Sequence, residues 1–311
     1  MTDMLRRTVF AIIVTLVTTY SSSVPFEAIA STSAPANGHV YLIRGLLGEF
    51  YSRGLDQIAR NINKRGLHAS VHGLLDINSL TEEIIKKYKD DPSSAPVILI
   101  GHSSGGDAII SMAQKMKEAN VPVGLAFGFD PTRHAGPVPD NVELFINLFQ
   151  KTNLIGGGEV KAVSGFHGRL INVDLREHNE IVHINLDKSS KIRALVVDEI
   201  IGFAAFSSRK QDAHLEVSPK SKTQEQSSAA APTSNFVTPL HMKYVVPHDE
   251  PIELWDSGLH TTVRAGETLQ TIATQYGAPA WAVAQINKIG DDTPLQNGMA
   301  LIIPLRLYKG D

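Results

Sequence analysis

Cysteine is missing from all 311 residues, which excludes a disulfide framework and every cysteine-ligated metal site. Export to an oxidising compartment stays compatible, because no pairing is needed to hold the fold. Charge of one sign is also scarce: 29 Lys and Arg against 32 Asp and Glu leave a formal net charge of -3. Without a long basic run nothing draws the chain onto a polyanion, so no nucleic-acid partner is expected. Long hydrophobic runs are lacking too. The apolar stretch Val9–Val17 is shorter than the roughly 20 residues that cross a bilayer, and no transmembrane domain is expected in the mature form. No H-E-x-x-H zinc pair occurs, and no two carboxylates stand in a context that suggests glycosidic cleavage. Neither a metal nor a cofactor is expected.

What is present begins with a leader-like segment. Arg6 and Arg7 precede the apolar stretch, and Ala28-Ile29-Ala30 closes the polar stretch behind it. Positive, apolar, then small-x-small is the order of a secretory signal peptide, read here over residues 1–30, with an uncleaved N-terminal anchor as the alternative. The expected location is the periplasm or cell envelope. The 42% hydrophobic content is ordinary for a globular protein, and the length has room for two domains.

The stretch that carries chemistry is Val97–Gly106, V-I-L-I-G-H-S-S-G-G. Four apolar residues after Pro96 read as a strand buried on both faces, and Asp107 to Ala113 continue as a helix. Between them Gly101-His102-Ser103-Ser104-Gly105 matches G-x-S-x-G. A sharp strand-to-helix turn needs residues without bulk beside its apex, which Gly101 and Gly105 supply. Such an apex lifts Ser103 Oγ out of the sheet at the start of a helix, where N–H groups and the helix dipole favour negative charge. On these residues the chain resembles the α/β-hydrolase superfamily, in particular compact lipase- and thioesterase-like members, over about Gly38 to Ala205.

The surroundings agree with a doubly wound α/β fold. Strands are read at Val40–Ile43, Ala69–His72, Val123–Phe129 and Leu170–Leu175, with helices between, so a parallel sheet covered by helices on both faces is expected. Ligands of such sheets lie beyond the carboxyl ends of the strands. Asp130 stands at one of those ends and is the candidate that orients a histidine, with Asp174 as competitor. His183, ahead of the terminal helix Lys191–Phe203, is the candidate general base, and His178 the runner-up. The resemblance implies the order Ser103, Asp130, His183 and an oxyanion hole made of the backbone N–H groups of Ser104 and of the Leu46 region. Residues 133–168, with Leu144–Phe149 and Gly156–Gly158, fall where the family inserts a lid or pocket wall.

From Ser207 to about Glu250 the composition turns to Ser, Lys, Gln, Ala, Pro and Thr, which reads as a disordered linker after a catalytic unit at 38–206. Order returns over 258–307. Thr268 is placed to cap a helix whose apolar face is Leu269, Ile272, Ala273 and Tyr276. Gly277 stops it, a second helix starts at Pro279, and Met299–Pro304 closes a β-α-α-β unit. V-x-x-G-E-T-L, I-A-x-x-Y-G, the Asn after the second helix and L-x-x-G-M-x-L-x-I-P stand in one register, and on them this unit resembles the lysin motif (LysM). The resemblance implies binding of glycans that contain N-acetylglucosamine, such as peptidoglycan. The sugar would lie between Gly266, Glu267, Thr268 and Leu269 on one side and Asn287, Ile289 and the loop to Leu295 on the other; the alternative is that Gly266 and Asn287 serve turns alone. Trp281 is either a stacking platform or a packing residue. Together these readings describe an exported serine hydrolase of acyl esters or thioesters anchored to wall glycan. The alternative is a non-catalytic wall-binding protein built on a degenerate hydrolase scaffold.

Overall fold

The computed structural model describes residues 38–46, 48, 52–151, 154–216 and 241–308, and for 211–216 the backbone alone. The segment read as a signal peptide lies outside the described residues, as does 217–240 of the region read as a linker.

Seven parallel strands form the main sheet. In chain order they are β1 (His39–Ile43), β2 (His68–His72), β3 (Val97–His102), β4 (Val123–Phe129), β5 (Val142–Phe149), β6 (Arg169–Asp174) and β7 (His241–Val245), arranged β2-β1-β3-β4-β5-β6-β7. Helices α1 (Gly54–Lys64), α2 (Ile77–Asp90), α3 (Ser104–Glu118) and α4 (Ser190–Glu216) cover it. Alternate residues of β1 and β3 enter opposite cores. Val40, Leu42, Ile98 and Ile100 pack with Leu55, Ile58 and Ile62 of α1, while Tyr41, Ile43, Val97 and Leu99 pack with Ile109, Met112 and Met116 of α3. Burial on both faces is why these strands read as unbroken apolar runs. The chain reverses its winding direction at β1, whose neighbours are β2 and β3. The crevice beyond the carboxyl ends of β1 and β3 is the topological switch point of the sheet.

Two strands depart from the sequence reading. Residues Val142–Phe149, expected within a lid or pocket wall, are β5 in the middle of the sheet, and all but Glu143 are buried. No helix lies between β4 and β5, so the alternation of strand and helix that identifies its neighbours is broken there. Likewise β7 falls inside the predicted linker, and α4 runs on to Glu216. Only Met242 and Tyr244 of β7 are buried, too short an alternation to stand out.

The C-terminal unit has the expected β-α-α-β order: β8 (Trp255–Thr262), α5 (Leu269–Tyr276), α6 (Ala280–Asn287) and β9 (Ala300–Arg306), with β8 and β9 antiparallel. Thr268 and Thr271 form a reciprocal capping box at α5, and Gly277 ends it in the left-handed conformation at φ 66°.

This unit packs against the edge of the parallel sheet. The Gln285 side chain takes both backbone groups of Val245, accepting its N–H at 2.8 Å and donating to its carbonyl at 2.9 Å, so α6 covers the open edge of β7 that would otherwise offer unpaired groups. Arg169 pairs with the buried Asp256. The hydroxyl of Tyr244 accepts the Trp255 amide at 2.9 Å, and its ring lies 5.9 Å from that of Trp281.

Candidate active site

The elbow is tight because nothing else fits. A Cβ on Gly101 would sit 2.1 Å from the carbonyl oxygen of Gly105, and one on Gly105 would sit 2.2 Å from that of Ile43. Between them Ser103 has φ 57°, a strained backbone for a residue with a side chain. Its N–H is fixed to the Phe129 carbonyl at 2.9 Å. The half-buried hydroxyl stands at the start of α3, where the first N–H groups have no carbonyl a turn earlier to bind.

Three side chains meet here, Ser103 and Asp130 from the ends of β3 and β4 and His183 from the loop between β6 and α4. Ser103 Oγ is 2.9 Å from His183 Nε2, and His183 Nδ1 is 2.9 Å from Asp130 Oδ2. Asp130 is fully buried and His183 nearly so. Asp130 sits directly after β4 with φ 48°. Its turn is tied to the elbow helix, since the Thr132 amide and hydroxyl donate to the two oxygens of Asp107 at 2.7 and 2.5 Å. The competitors lie elsewhere: Asp174 is held by the guanidinium and amide of Arg176, and His178 faces Glu180 at 3.5 Å.

Of the two N–H groups expected to line an oxyanion hole, that of Ser104 heads α3, while that of Leu46 donates to the Ser104 side-chain oxygen at 2.7 Å. A Cβ on Gly45 would lie 2.7 Å from the His102 carbonyl oxygen, so the turn after β1 presses onto the elbow.

Sequence reasoning did not single out Ser52, part of the support of the triad. His102 is buried under it, and burial pushes its imidazole down to about 4, leaving it neutral near pH 7. Its Nε2–H donates to the His183 carbonyl at 2.8 Å, so Nδ1 accepts from the Ser52 hydroxyl, also 2.8 Å away. Ser52 Oγ in turn accepts the Gly45 amide at 3.3 Å. One chain of hydrogen bonds thus joins the turn after β1 to the loop that carries His183. That loop is anchored again where buried Asp187 accepts the Gly54 amide at 2.8 Å.

The segments around the serine are unusually apolar at the surface. Leu46 is 73% exposed, Leu154 and Ile155 precede the glycine that abuts Asp130, and Val182 and Ile184 flank His183, all of them exposed. A soluble surface seldom gathers such side chains without a ligand to cover them.

In the C-terminal unit, Gly266 and Thr268 are exposed and Glu267 half-buried on one loop, with the Glu267 carboxylate accepting the Arg264 amide at 2.7 Å. Three other expected glycan contacts serve the frame. Leu269 is buried in the core and Ile289 packs against it. The Asn287 amide group is spent on β9, donating to the Ile302 carbonyl at 2.7 Å and accepting its N–H at 2.8 Å. Trp281 packs on Tyr244.

Comparison with known proteins identifies one part of the chain. The family model of the LysM domain matches residues 261–304, and that stretch is a LysM domain. Comparison with curated proteins finds no match. Among solved structures, the esterase domain of a Rhodothermus marinus protein is 16% identical, with 57% of this chain and 89% of that one covered at a TM-score of 0.36. Human thioesterase 2 is 13% identical, with 56% and 98% covered, also at 0.36. The chemistry of the site rests on its own geometry.

Proposed function

We propose that the chain is a serine hydrolase of acyl esters or thioesters, held at N-acetylglucosamine-containing wall glycan by its LysM domain. The observation that carries the reading is the continuous hydrogen-bonded line from Ser103 Oγ through the His183 ring to Asp130. Ser103 Oγ attacks the acyl carbonyl while its proton passes to His183 Nε2. Asp130 accepts the Nδ1–H, which fixes the tautomer and stabilises the imidazolium that forms. The Ser104 and Leu46 amides face the developing oxyanion. Collapse expels the alcohol or thiol with the proton from Nε2, and a water activated by the same imidazole then releases the acid and frees the serine. The exposed leucine, isoleucine and valine side chains around the serine support an apolar acyl group rather than a charged one.

A module for wall glycan serves a protein that reaches the wall, which supports export to the periplasm or envelope. No helix among the described residues is long and apolar enough to cross a membrane. The catalytic unit would comprise residues 38–206 with β7 added, and the glycan unit 258–307. Ser103→Ala is expected to abolish both the hydrolysis of short p-nitrophenyl esters and labelling by a fluorophosphonate probe. Labelling that persists in this variant removes Ser103 from the mechanism, and a wild-type chain that neither hydrolyses nor labels would be a binding scaffold only.

A further inference from the structure

The packing of the LysM domain on the sheet edge creates a cleft that neither unit has alone. It encloses about 630 Å³ between β6 and β7 on one wall and α6 and β9 on the other. Its floor is apolar, with Val160 and Met242 buried beneath it. Its rim is basic: Lys161 and Lys243 on the sheet side, Lys288 on the LysM side. Lys243 is engaged by Glu159 at 2.5 Å. Lys161 and Lys288 are exposed and have no ion-pair partner among the described residues.

At each end the cleft shares lining residues with a neighbouring region. Lys288 caps α6 in the left-handed conformation and begins the loop to Leu295, one of the two loops that would flank a bound sugar. At the other end Glu159, Val160 and Lys161 also line a smaller pocket of about 220 Å³ that reaches Pro131 and Arg133, the residues that follow Asp130 in its turn. A basic track therefore runs from the glycan loop, past Lys288 and Lys161, to Arg133 in the turn that follows Asp130.

We propose that this cleft is an extension subsite for a glycan bearing carboxylates, whose strand passes from the LysM loops between Lys288 and Lys161 toward the turn that follows Asp130. Compact ammonium groups on opposite walls suit single carboxylates spaced along a polymer. The apolar floor accepts the faces of the sugar rings between the charges. The carboxylate belongs either to the sugar itself or to a peptide attached to it. This inference rests on the glycan reading of the LysM domain and not on the hydrolase reading.

The test is calorimetric binding by the full chain carrying Ser103→Ala, at low salt. The three probes are chitohexaose, which is neutral, alternating N-acetylglucosamine and N-acetylmuramic acid strands stripped of peptide, and the same strands with peptide attached. The acidic strands are expected to bind at least tenfold more tightly than chitohexaose, and raised salt to erase the difference. Lys161→Glu should reduce that advantage at least fivefold, with chitohexaose binding unchanged and Lys161→Arg retaining the preference. An advantage in the stripped strands assigns the carboxylate to the sugar, and one that needs the peptide assigns it to the stem. Equal binding of neutral and acidic strands, or an advantage untouched by Lys161→Glu, overturns the subsite alone. No binding of any probe overturns the subsite and the glycan reading together. The hydrolase reading is scored separately on p-nitrophenyl esters with Ser103 intact, where Lys161→Glu should change nothing.

Discussion

The Leu46 amide and the Ser104 hydroxyl oxygen lie 2.7 Å apart, so a proposed oxyanion donor is occupied by a neighbour when no substrate is bound. An incoming carbonyl has to displace that oxygen, and a hydrogen bond of this kind is worth about 1 kcal/mol net, or roughly fivefold in rate. Ser104→Ala is therefore expected to raise kcat/KM on p-nitrophenyl esters by two- to fivefold. A tenfold fall instead would mean that the hydroxyl itself donates to the oxyanion.

Gly156 fixes the position of the acid. A Cβ there would lie 2.0 Å from Asp130 Oδ1, in a region where the surrounding chain is tied down. Gly156→Ala must push the carboxylate out of line with His183, and a displacement near 1 Å costs about a hundredfold in rate. Such a fall in kcat, with the thermal midpoint lowered by only a few degrees, is the expected outcome. Gly136→Ala is the control, because a Cβ there meets nothing closer than 4.0 Å. Equal activities of the two variants would show that Asp130 does not position the base.

How far the sequence disclosed this arrangement varies by residue. The elbow was legible because its glycines answer a steric demand that only they meet, and that demand reappears as contacts of about 2 Å at Gly101 and Gly105. Asp130 is legible only as a strand-end position and His183 only as a position ahead of the terminal helix, with Asp174 and His178 as rivals, since no local pattern tells which carboxylate meets which ring across the sheet. Gly156 stands in the segment expected to form a lid or pocket wall, and its contact with Asp130 depends on a fold that spacing does not reveal. Strands β5 and β7 escaped because one follows a connection without a helix and the other is five residues of weak alternation beside a low-complexity stretch. Asn287 reads as either a sugar contact or a scaffold residue, and its bonds to Ile302, across fifteen positions of sequence, are not marked by any local motif.

His102 is a positioning residue for the base. It holds the His183 carbonyl and the Ser52 hydroxyl from one buried ring, so His102→Ala takes the donor from the carbonyl and leaves Ser52 only the Gly45 amide, which loosens the catalytic loop. A fall in kcat of about ten- to a hundredfold is expected, with KM nearly unchanged. His102→Gln, which can still donate to the carbonyl, should recover most of it. The ring's depression from 6.5 to about 4 also carries a stability signature. A folded state that refuses a proton the unfolded state accepts loses stability as pH falls from about 6.5 toward 4. Thermal midpoints followed over that window should decline less steeply in His102→Gln. An equally steep decline would assign the acid sensitivity to another group, of which the similarly lowered His39 is the first candidate.

Glu199 sets the opposite limit. It lies on α4, only 3% exposed, with Oε2 unpartnered among the described residues. Burial raises its carboxyl from 4.5 to about 8, against the opposing pull of Arg306 on β9. The folded chain therefore keeps a proton that the unfolded chain releases above about 4.5, and stability falls as pH rises from there to about 8. Glu199→Gln removes the titration while keeping the shape. Each kcal/mol recovered is worth roughly 2–4 °C in a chain of this size, so a gain of at least ~4 °C in the thermal midpoint is expected at pH 8.5, shrinking to nothing near pH 4.5. Catalysis should be unchanged, because Glu199 touches none of the triad. A gain of the same size at both pH values would mean that the glutamate destabilises by poor packing rather than by its charge.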